Sequence, residues 1–323
     1  MLTIFLLLLV FSTEFFYNKF DNERKMYLNI FLSDNTQVNV TKEGNGLVLE
    51  DGGDIDFSKN KIITPKLIAS STPLSPDEFT ASNILVKDKD SSIMLFGKNS
   101  YDKHALASIT KLMSVLVLLE RNLDWTSTTT VSVDKVSGTN IYAGDTFTLD
   151  ELWKATLVAS SNKAILTLVD ASGLSRENFV ARMNEKAKEL GMSDTNFVES
   201  TGLDANNIST ASDVVILLDE ALTYDKIKDT LNLREVTLYS KERKKEIHMW
   251  NTDWLLLGWI PNSLSIIGGK TGFIDDSLYN FTVAIKNDEG HVIDIVILGA
   301  TEHEFRFTEA KKVAEWVFAN YTW

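Results

Sequence analysis

No cysteine occurs among the 323 residues, which excludes disulfides, thiolate catalysis and cysteine-ligated metals. That absence fits the cytosol and a bacterial exterior equally well. Histidine is scarce too. His104, His248, His291 and His303 form neither an H-x-H nor an H-E-x-x-H pair, so no histidine-based metal site is expected. No serine sits in a G-x-S-x-G elbow, and the four histidines read as surface or satisfied core groups, although this does not exclude a Ser-His-Asp triad. Basic residues are in deficit, 32 Lys and Arg against 45 Asp and Glu, for a net charge of −13. Nucleic-acid binding, which needs clustered cations, is therefore not expected. An acidic chain that takes an anionic substrate must also supply a cation locally.

Long apolar runs are few. Leu2–Phe11 is nearly all apolar, but Glu14 interrupts it before the ~20 residues that a membrane helix needs. No Lys or Arg precedes it and no A-x-A site follows. Residues 1–20 read as an export signal or membrane anchor, as a buried helix, or as an artefact of the gene start, with export favoured. The next stretch, 21–78, is polar and without sustained periodicity. It carries Pro65, Pro73 and Pro76, three of the four prolines, and reads as a linker with a short strand at Gly46–Glu50.

A compact domain is expected over 79–323. The short apolar runs 83–88 and 92–97 read as a hairpin. Helical patterns follow at 107–121, 149–159, 162–171, 175–190 and 210–223, the last opened by Thr210 and Asp213 at capping-box spacing. Strand signals return at 234–240, 265–269, 279–288 and 291–300, and 304–320 makes a final amphipathic helix. Strands at both ends and helices between them predict an α+β fold, an antiparallel sheet with an inserted helical lobe.

Three short motifs carry chemistry. Ser108 and Lys111 stand at i and i+3, on one face of a helix. A serine hydroxyl needs a neighbour to take its proton, and a lysine can do so only when neutral. Burial among Ile109, Leu112, Met113 and Val115 would favour the neutral amine, and a second cation nearby would favour it further. The spacing alone says little, since Ser58–Lys61, Ser100–Lys103, Ser132–Lys135 and Ser160–Lys163 share it, but only Ser108–Lys111 opens a strongly apolar helix. Ser160-x-Asn162 lies between two helices. Lys270-Thr271-Gly272, the only Lys-Thr-Gly in the chain, is expected to end an apolar strand at a turn.

S-x-x-K, S-x-N and K-T-G in this order are shared by penicillin-binding proteins and class A β-lactamases. With "ASITKLMS", "LGMSDTNFVESTGLD", "STASDVVIL", "NTDWLL" and "GGKTGF", residues 79–321 resemble the low-molecular-mass penicillin-binding proteins that act as serine-type D-alanyl-D-alanine carboxypeptidases. The resemblance implies the β-lactamase/penicillin-binding-protein-like transpeptidase fold, no cofactor, peptidoglycan stem peptides as substrate and β-lactams as inhibitors. Ser108 would be the nucleophile, Lys111 its base, Ser160 a proton relay, and Asn162 an orienter of Lys111. Lys270 and Thr271 would hold the terminal carboxylate, Gly272 would leave room for the substrate, and the N–H groups of Ser108 and Phe273 would form an oxyanion hole. The family implies an extracytoplasmic location, secreted or anchored through the N-terminus, because the chain stops at Trp323, before the C-terminal domain and helix of many relatives.

Departures from the pattern are Lys163 in place of an acidic residue and "VESTGL" in place of Asn-Pro before Thr-Gly-Leu. Lys163 would add charge beside the cleft or sit on a solvated helix end. A DD-endopeptidase would use the same residues, and a silent wall-binding protein would share the fold. A class A β-lactamase would need a deacylating glutamate, for which Glu199 is the nearest candidate. The basic run 240–250 reads as a solvated hairpin tip or as a contact with anionic wall polymer or lipid.

Overall fold

The computed structural model describes the strands Tyr27–Phe31, Gln37–Glu43 and Gly46–Glu50 as backbone, and residues 63–323 apart from 133–135 and 137–140. The chain divides into two compact units, 1–61 and 62–323. The apolar stretch 1–20 lies outside the described residues. In the first unit the three strands form an antiparallel sheet in sequence order. The stretch read as a linker thus carries paired strands besides 46–50.

The second unit is built on a five-stranded antiparallel sheet. Its strands are β1 (Asn83–Asp88), β2 (Met94–Lys98), β3 (Ser265–Ile274), β4 (Leu278–Lys286) and β5 (Val292–Ala300), in the spatial order β3-β4-β5-β1-β2. Between β2 and β3 the chain makes a helical lobe: α1 (Thr110–Leu119), α2 (Leu149–Val158), α3 (Asn162–Ala171), α4 (Arg176–Glu189), α5 (Ala211–Thr223), α6 (Asp225–Leu231) and the single turn α7 (Trp254–Leu257). The final helix, α8 (Phe305–Asn320), follows β5. This is the α+β arrangement read from the sequence.

Alternation along the strands sorts side chains between two cores. Ile293, Ile295 and Ile297 of β5 pack with Phe307, Ala310, Val313, Ala314 and Val317 of α8, a set at helical spacing. Val296 and Leu298 point the other way, into the lobe with Leu112, Val115 and Leu217. Buried on both faces, β5 reads as a nearly continuous apolar run. Each fully buried aliphatic side chain contributes roughly 1.5–3 kcal/mol.

Helix starts follow side-chain caps. Thr148 and Glu151 cap each other's backbone N–H groups at α2, and Ser161 and Ser175 cap α3 and α4. At α5 Thr210 accepts from the Asp213 N–H, but Asp213 does not close the box. Its carboxylate takes the Asp194 N–H and the Thr195 hydroxyl instead. The proline-bearing stretch belongs to the second unit, where Lys66–Leu67 pairs with Tyr321–Thr322 and the Trp316 indole donates to the Thr72 carbonyl.

Candidate active site

Ser108 lies in the 3-10 turn Ala107–Ile109 that leads into α1, the helix expected over 107–121. Leu112, Met113 and Val115–Leu118 are buried, so the helix is apolar nearly all round, and Lys111 and Ser114 are buried with it. Lys111 is therefore no snorkelling surface lysine. Its Nζ lies 2.6 Å from Ser108 Oγ, 2.7 Å from Asn162 Oδ1 and 2.7 Å from the Thr201 carbonyl. Burial lowers its pKa to about 7, against an opposing pull from Glu199.

Ser160 and Asn162 sit where α2 turns into α3. Ser160 adopts the left-handed conformation, φ +57°, which turns the chain sharply enough to start α3 at Asn162. Its hydroxyl accepts from Lys270 Nζ at 2.9 Å, and Lys270 also donates to the Thr271 carbonyl at 3.0 Å. Thr271 donates to the Thr252 hydroxyl at 2.6 Å. The structure thus brings Ser108, Lys111 and Asn162 into one cluster and Lys270, Ser160 and Thr271 into a second. Both lie where the edge strand β3 meets the lobe.

Lys-Thr-Gly does not end its strand. β3 continues through Ile274, and Lys270, Thr271 and Gly272 pair with Thr282, Phe281 and Asn280. The two glycines before Lys270 allow close packing. A Cβ on Gly268 would lie 2.9 Å from Leu222 Cδ2, and one on Gly269 2.9 Å from Asp253 Oδ2. Gly272 faces the turn that carries Ser108, where a Cβ would lie 2.7 Å from the Leu106 carbonyl and 3.2 Å from the Ser108 nitrogen. Because β3 is an edge strand, part of its backbone lacks a ladder partner and can pair with an extended peptide. Phe273, the next residue, is half exposed and stacks on Tyr279 at 4.4 Å.

Several residues of the site take roles that the sequence did not assign them. Glu199 accepts from the N–H and hydroxyl of Thr201, the N–H of Gly202 and the Asn207 amide. With its lone pairs engaged it buttresses the carbonyl that receives Lys111, and none is left to activate water as a β-lactamase base would. Arg306 of α8 is buried, donates to the Gly272 carbonyl at 3.2 Å and lies 2.8 Å from His303 Nε2. Asp253, the cap of α7, uses Oδ1 for the Leu255 and Leu256 N–H groups, while Oδ2 has no hydrogen-bond partner.

Burial, then the positive charge of Lys111, then that of Arg306 push the Lys270 pKa well below the ordinary lysine range, with Asp253 opposing. Burial lowers Arg306 to about 10 and raises Asp253 to about 6. The buried Lys111 ammonium disfavours a second positive charge on Lys270. Such surroundings favour an anion and a neutral amine beside a hydroxyl.

The remaining site readings fall elsewhere. Lys163 is buried with its ammonium 5.2 Å from the Tyr142 ring centroid, so it is not a solvated helix end. The histidines sit outside the Ser108–Lys111 cluster, with His104 bonded to the Ser277 carbonyl and His248 to Glu235. The basic run forms the tip of the hairpin Glu235–Ser240/Lys245–Trp250, where Arg243 bonds the buried Asp145.

Fold and motif order together are those of the penicillin-binding transpeptidases. Residues 69–302 match the Peptidase_S11 family, D-alanyl-D-alanine carboxypeptidase, and the chain belongs to that family. It is 32% identical to a D-alanyl-D-alanine endopeptidase of Haemophilus influenzae over 74% of this chain and 82% of the relative. With the D-alanyl-D-alanine carboxypeptidase DacF of Bacillus subtilis it shares 29% identity over 75% of this chain and 63% of the relative. Among solved structures, a D-alanyl-D-alanine carboxypeptidase from Mycobacterium tuberculosis superposes with a TM-score of 0.68 at 27% identity, covering 79% of this chain and 96% of that one. Penicillin-binding protein D2 from Listeria monocytogenes, in its cefotaxime-bound form, gives 0.66 at 27% identity, covering 76% and 100%.

Proposed function

We propose that this chain removes the terminal D-alanine from peptidoglycan stem pentapeptides through an acyl-enzyme on Ser108. The observation that carries the reading is the surroundings of Lys111 Nζ. A neutral amine has two N–H bonds and one lone pair. The Asn162 and Thr201 oxygens can take both hydrogens, which leaves the lone pair for the Ser108 hydroxyl 2.6 Å away.

In this mechanism Ser108 gives its proton to Lys111 as Oγ attacks the carbonyl between the last two D-alanines. The N–H groups of Ser108 and Phe273 receive the oxyanion. The bond to the terminal D-alanine breaks, and its nitrogen regains the proton through the Ser160 hydroxyl. Water, deprotonated by Lys111, then attacks the ester carbonyl, and Lys111 returns that proton to Ser108 Oγ as the acyl–oxygen bond breaks and the tetrapeptide leaves. Lys270 holds the substrate carboxylate with Thr271 beside it, and that negative charge favours a proton on Lys270 over one on Lys111. The strained β-lactam amide meets the same serine, as the cefotaxime-bound relative suggests by likeness. A peptidoglycan substrate sets the place of action outside the cytoplasmic membrane, and association through residues 1–20 belongs to this reading. Among the described residues no helix is long and apolar enough to cross a membrane.

The similar endopeptidase makes cross-linked dimers the second substrate to try. Purified protein and Ser108→Ala are incubated with fluorescent penicillin, with a D-alanyl-D-alanine-ended pentapeptide and with a cross-linked muropeptide dimer. Lasting label and D-alanine release, both lost in the variant, support the proposal. Dimer cleavage without D-alanine release replaces it with the endopeptidase, label without turnover with a silent binder, and rapid loss of label with a β-lactamase.

A further inference from the structure

A chain of aromatic rings runs along the surface beside the cleft. Trp250 lies 6.0 Å from Trp259, Trp259 5.5 Å from Trp254, and Trp254 4.3 Å from His303. His303 is 5.5 Å from Tyr279, which stacks on Phe273. Trp250 and Trp259 are 49% and 50% exposed and Phe273 is 44% exposed, so these rings are not core. On the hairpin, Leu238 pairs with Ile247 on the inner face while Trp250 sits opposite Glu235 on the outer face, where alternation calls for a polar residue. Trp254, His303 and Tyr279 between them are partly buried, with Trp254 and Tyr279 against the core, so they hold the exposed rings in place. Exposed aromatic rings at the two ends of such a chain mark a binding surface.

Both ends of this track close on the site. Trp250 is two residues before Thr252, which accepts from Thr271, and Phe273 is two residues after Thr271. Two residues span at most ~7 Å and an extended five-residue stem ~17 Å. A stem whose end lies along β3 therefore brings the sugar that carries it within reach of the rings.

We propose that this track binds the glycan backbone of peptidoglycan, which makes the polymer and not the free stem peptide the preferred substrate. The inference deepens the proposed function and rests on it. Pyranoses with equatorial substituents present flat C–H faces that stack on indole, with hydroxyls left at the edge for polar neighbours. D-Alanine and the charged stem residues offer no such face. Exposed carboxylates flank the Phe273 end, Asp275 and Asp276 beyond it and Glu302 and Glu304 around His303, while Lys241, Lys244 and Lys245 lie on the hairpin that carries Trp250, so anionic vesicles form one arm of the test.

The test uses the full chain and glycan strands stripped of their stem peptides by an amidase. Wild type should bind them, and the Trp250→Ala/Trp259→Ala protein should bind on the order of tenfold more weakly. Its penicillin acylation rate and its D-alanine release from soluble pentapeptide should stay within about twofold, while release from intact sacculi falls on the order of tenfold. The inference is overturned if wild type ignores stripped strands, if the double variant binds them equally well, or if the protein binds anionic vesicles through these tryptophans instead. Stripped strands contain no scissile bond, so their binding is read even if the hydrolytic reading fails, and the penicillin and pentapeptide arms report that failure separately.

Discussion

Gly202 offers a sharp test of how the nucleophile is held, because nothing in it takes part in chemistry. Its φ is +88°, and a Cβ placed there would lie 1.8 Å from the Ala107 carbonyl oxygen, 2.2 Å from its carbon and 2.8 Å from the Ser108 nitrogen. Ordinary contact begins near 3.4 Å, so Gly202→Ala must drive the two backbones apart by roughly 1.6 Å, and neither partner is a side chain able to swing away. Ala107 is already in the left-handed region, φ +48°, and has little freedom to yield. Misplacement by about 1 Å can cost about 10²-fold in rate, which is ~2.7 kcal/mol of barrier. Gly191→Ala is the control. Its φ is +78° but nothing lies within 4 Å of the added carbon, so it carries the conformational cost, about 1 kcal/mol, without the collision. The assay is the second-order rate of fluorescent-penicillin acylation, with thermal unfolding of each variant alongside. Gly191→Ala should lose some stability and acylate normally, while Gly202→Ala should be at least ~100-fold slower even where it is folded. Acylation by folded Gly202→Ala within about threefold of wild type would show that the packing of residue 202 against 107–108 does not position the serine.

If neutral Lys111 is the base, the acylation rate should rise with pH through about 7 and level off above it, because only the deprotonated amine can take the proton; a profile flat from pH 5 to 9 would remove Lys111 from that role. Lys270→Ala should weaken capture of carboxylate-bearing substrates by about 2–5 kcal/mol, read as a fall in kcat/KM for D-alanine release, while the fold persists by circular dichroism. Asp253, raised by burial to about 6, binds its proton more tightly folded than unfolded. Its ionisation therefore costs stability as pH climbs from about 4 to 6, on the order of 3 kcal/mol, and urea titrations should show Asp253→Asn lacking that loss while keeping the cap.

Much of the fold was legible because local rules and tertiary packing agree. Helices with a capping serine or threonine and an apolar stripe, such as α2 through α5, start within a residue or two of where the pattern puts them. The Ser108–Lys111 pair was legible because an amine in an apolar run breaks the pattern. Reading failed where a residue's meaning comes from a distant neighbour. By its sequence, Lys270-Thr271-Gly272 after Gly268 and Gly269 is expected to end the strand. Folded, the two glycines are the slots into which Leu222 and Asp253 pack, so the strand runs on through Lys270. Arg306 looks like the polar side of an amphipathic helix, and only the arrival of β3 beneath α8 buries it against the Gly272 carbonyl.

The same distinction explains why the electrostatics of the cleft were only half visible. An acidic chain that binds an anion needs a local cation, and Lys270 is the one proposed for that role. The structure adds that Lys111, Lys270 and Arg306 are all buried, that burial pushes each toward its neutral form, and that a carboxylate opposes the shift at each, Glu199 at Lys111 and Asp253 at Lys270 and Arg306. Among the described residues Asp253 Oδ2 and Arg306 Nε have no hydrogen-bond partner within the protein. A carboxylate entering beside Lys270 would add the negative charge that these cations lack. If the proposed roles hold, substrate binding and activation of Ser108 are one electrostatic event, because a charge that holds a proton on Lys270 would let Lys111 release its own.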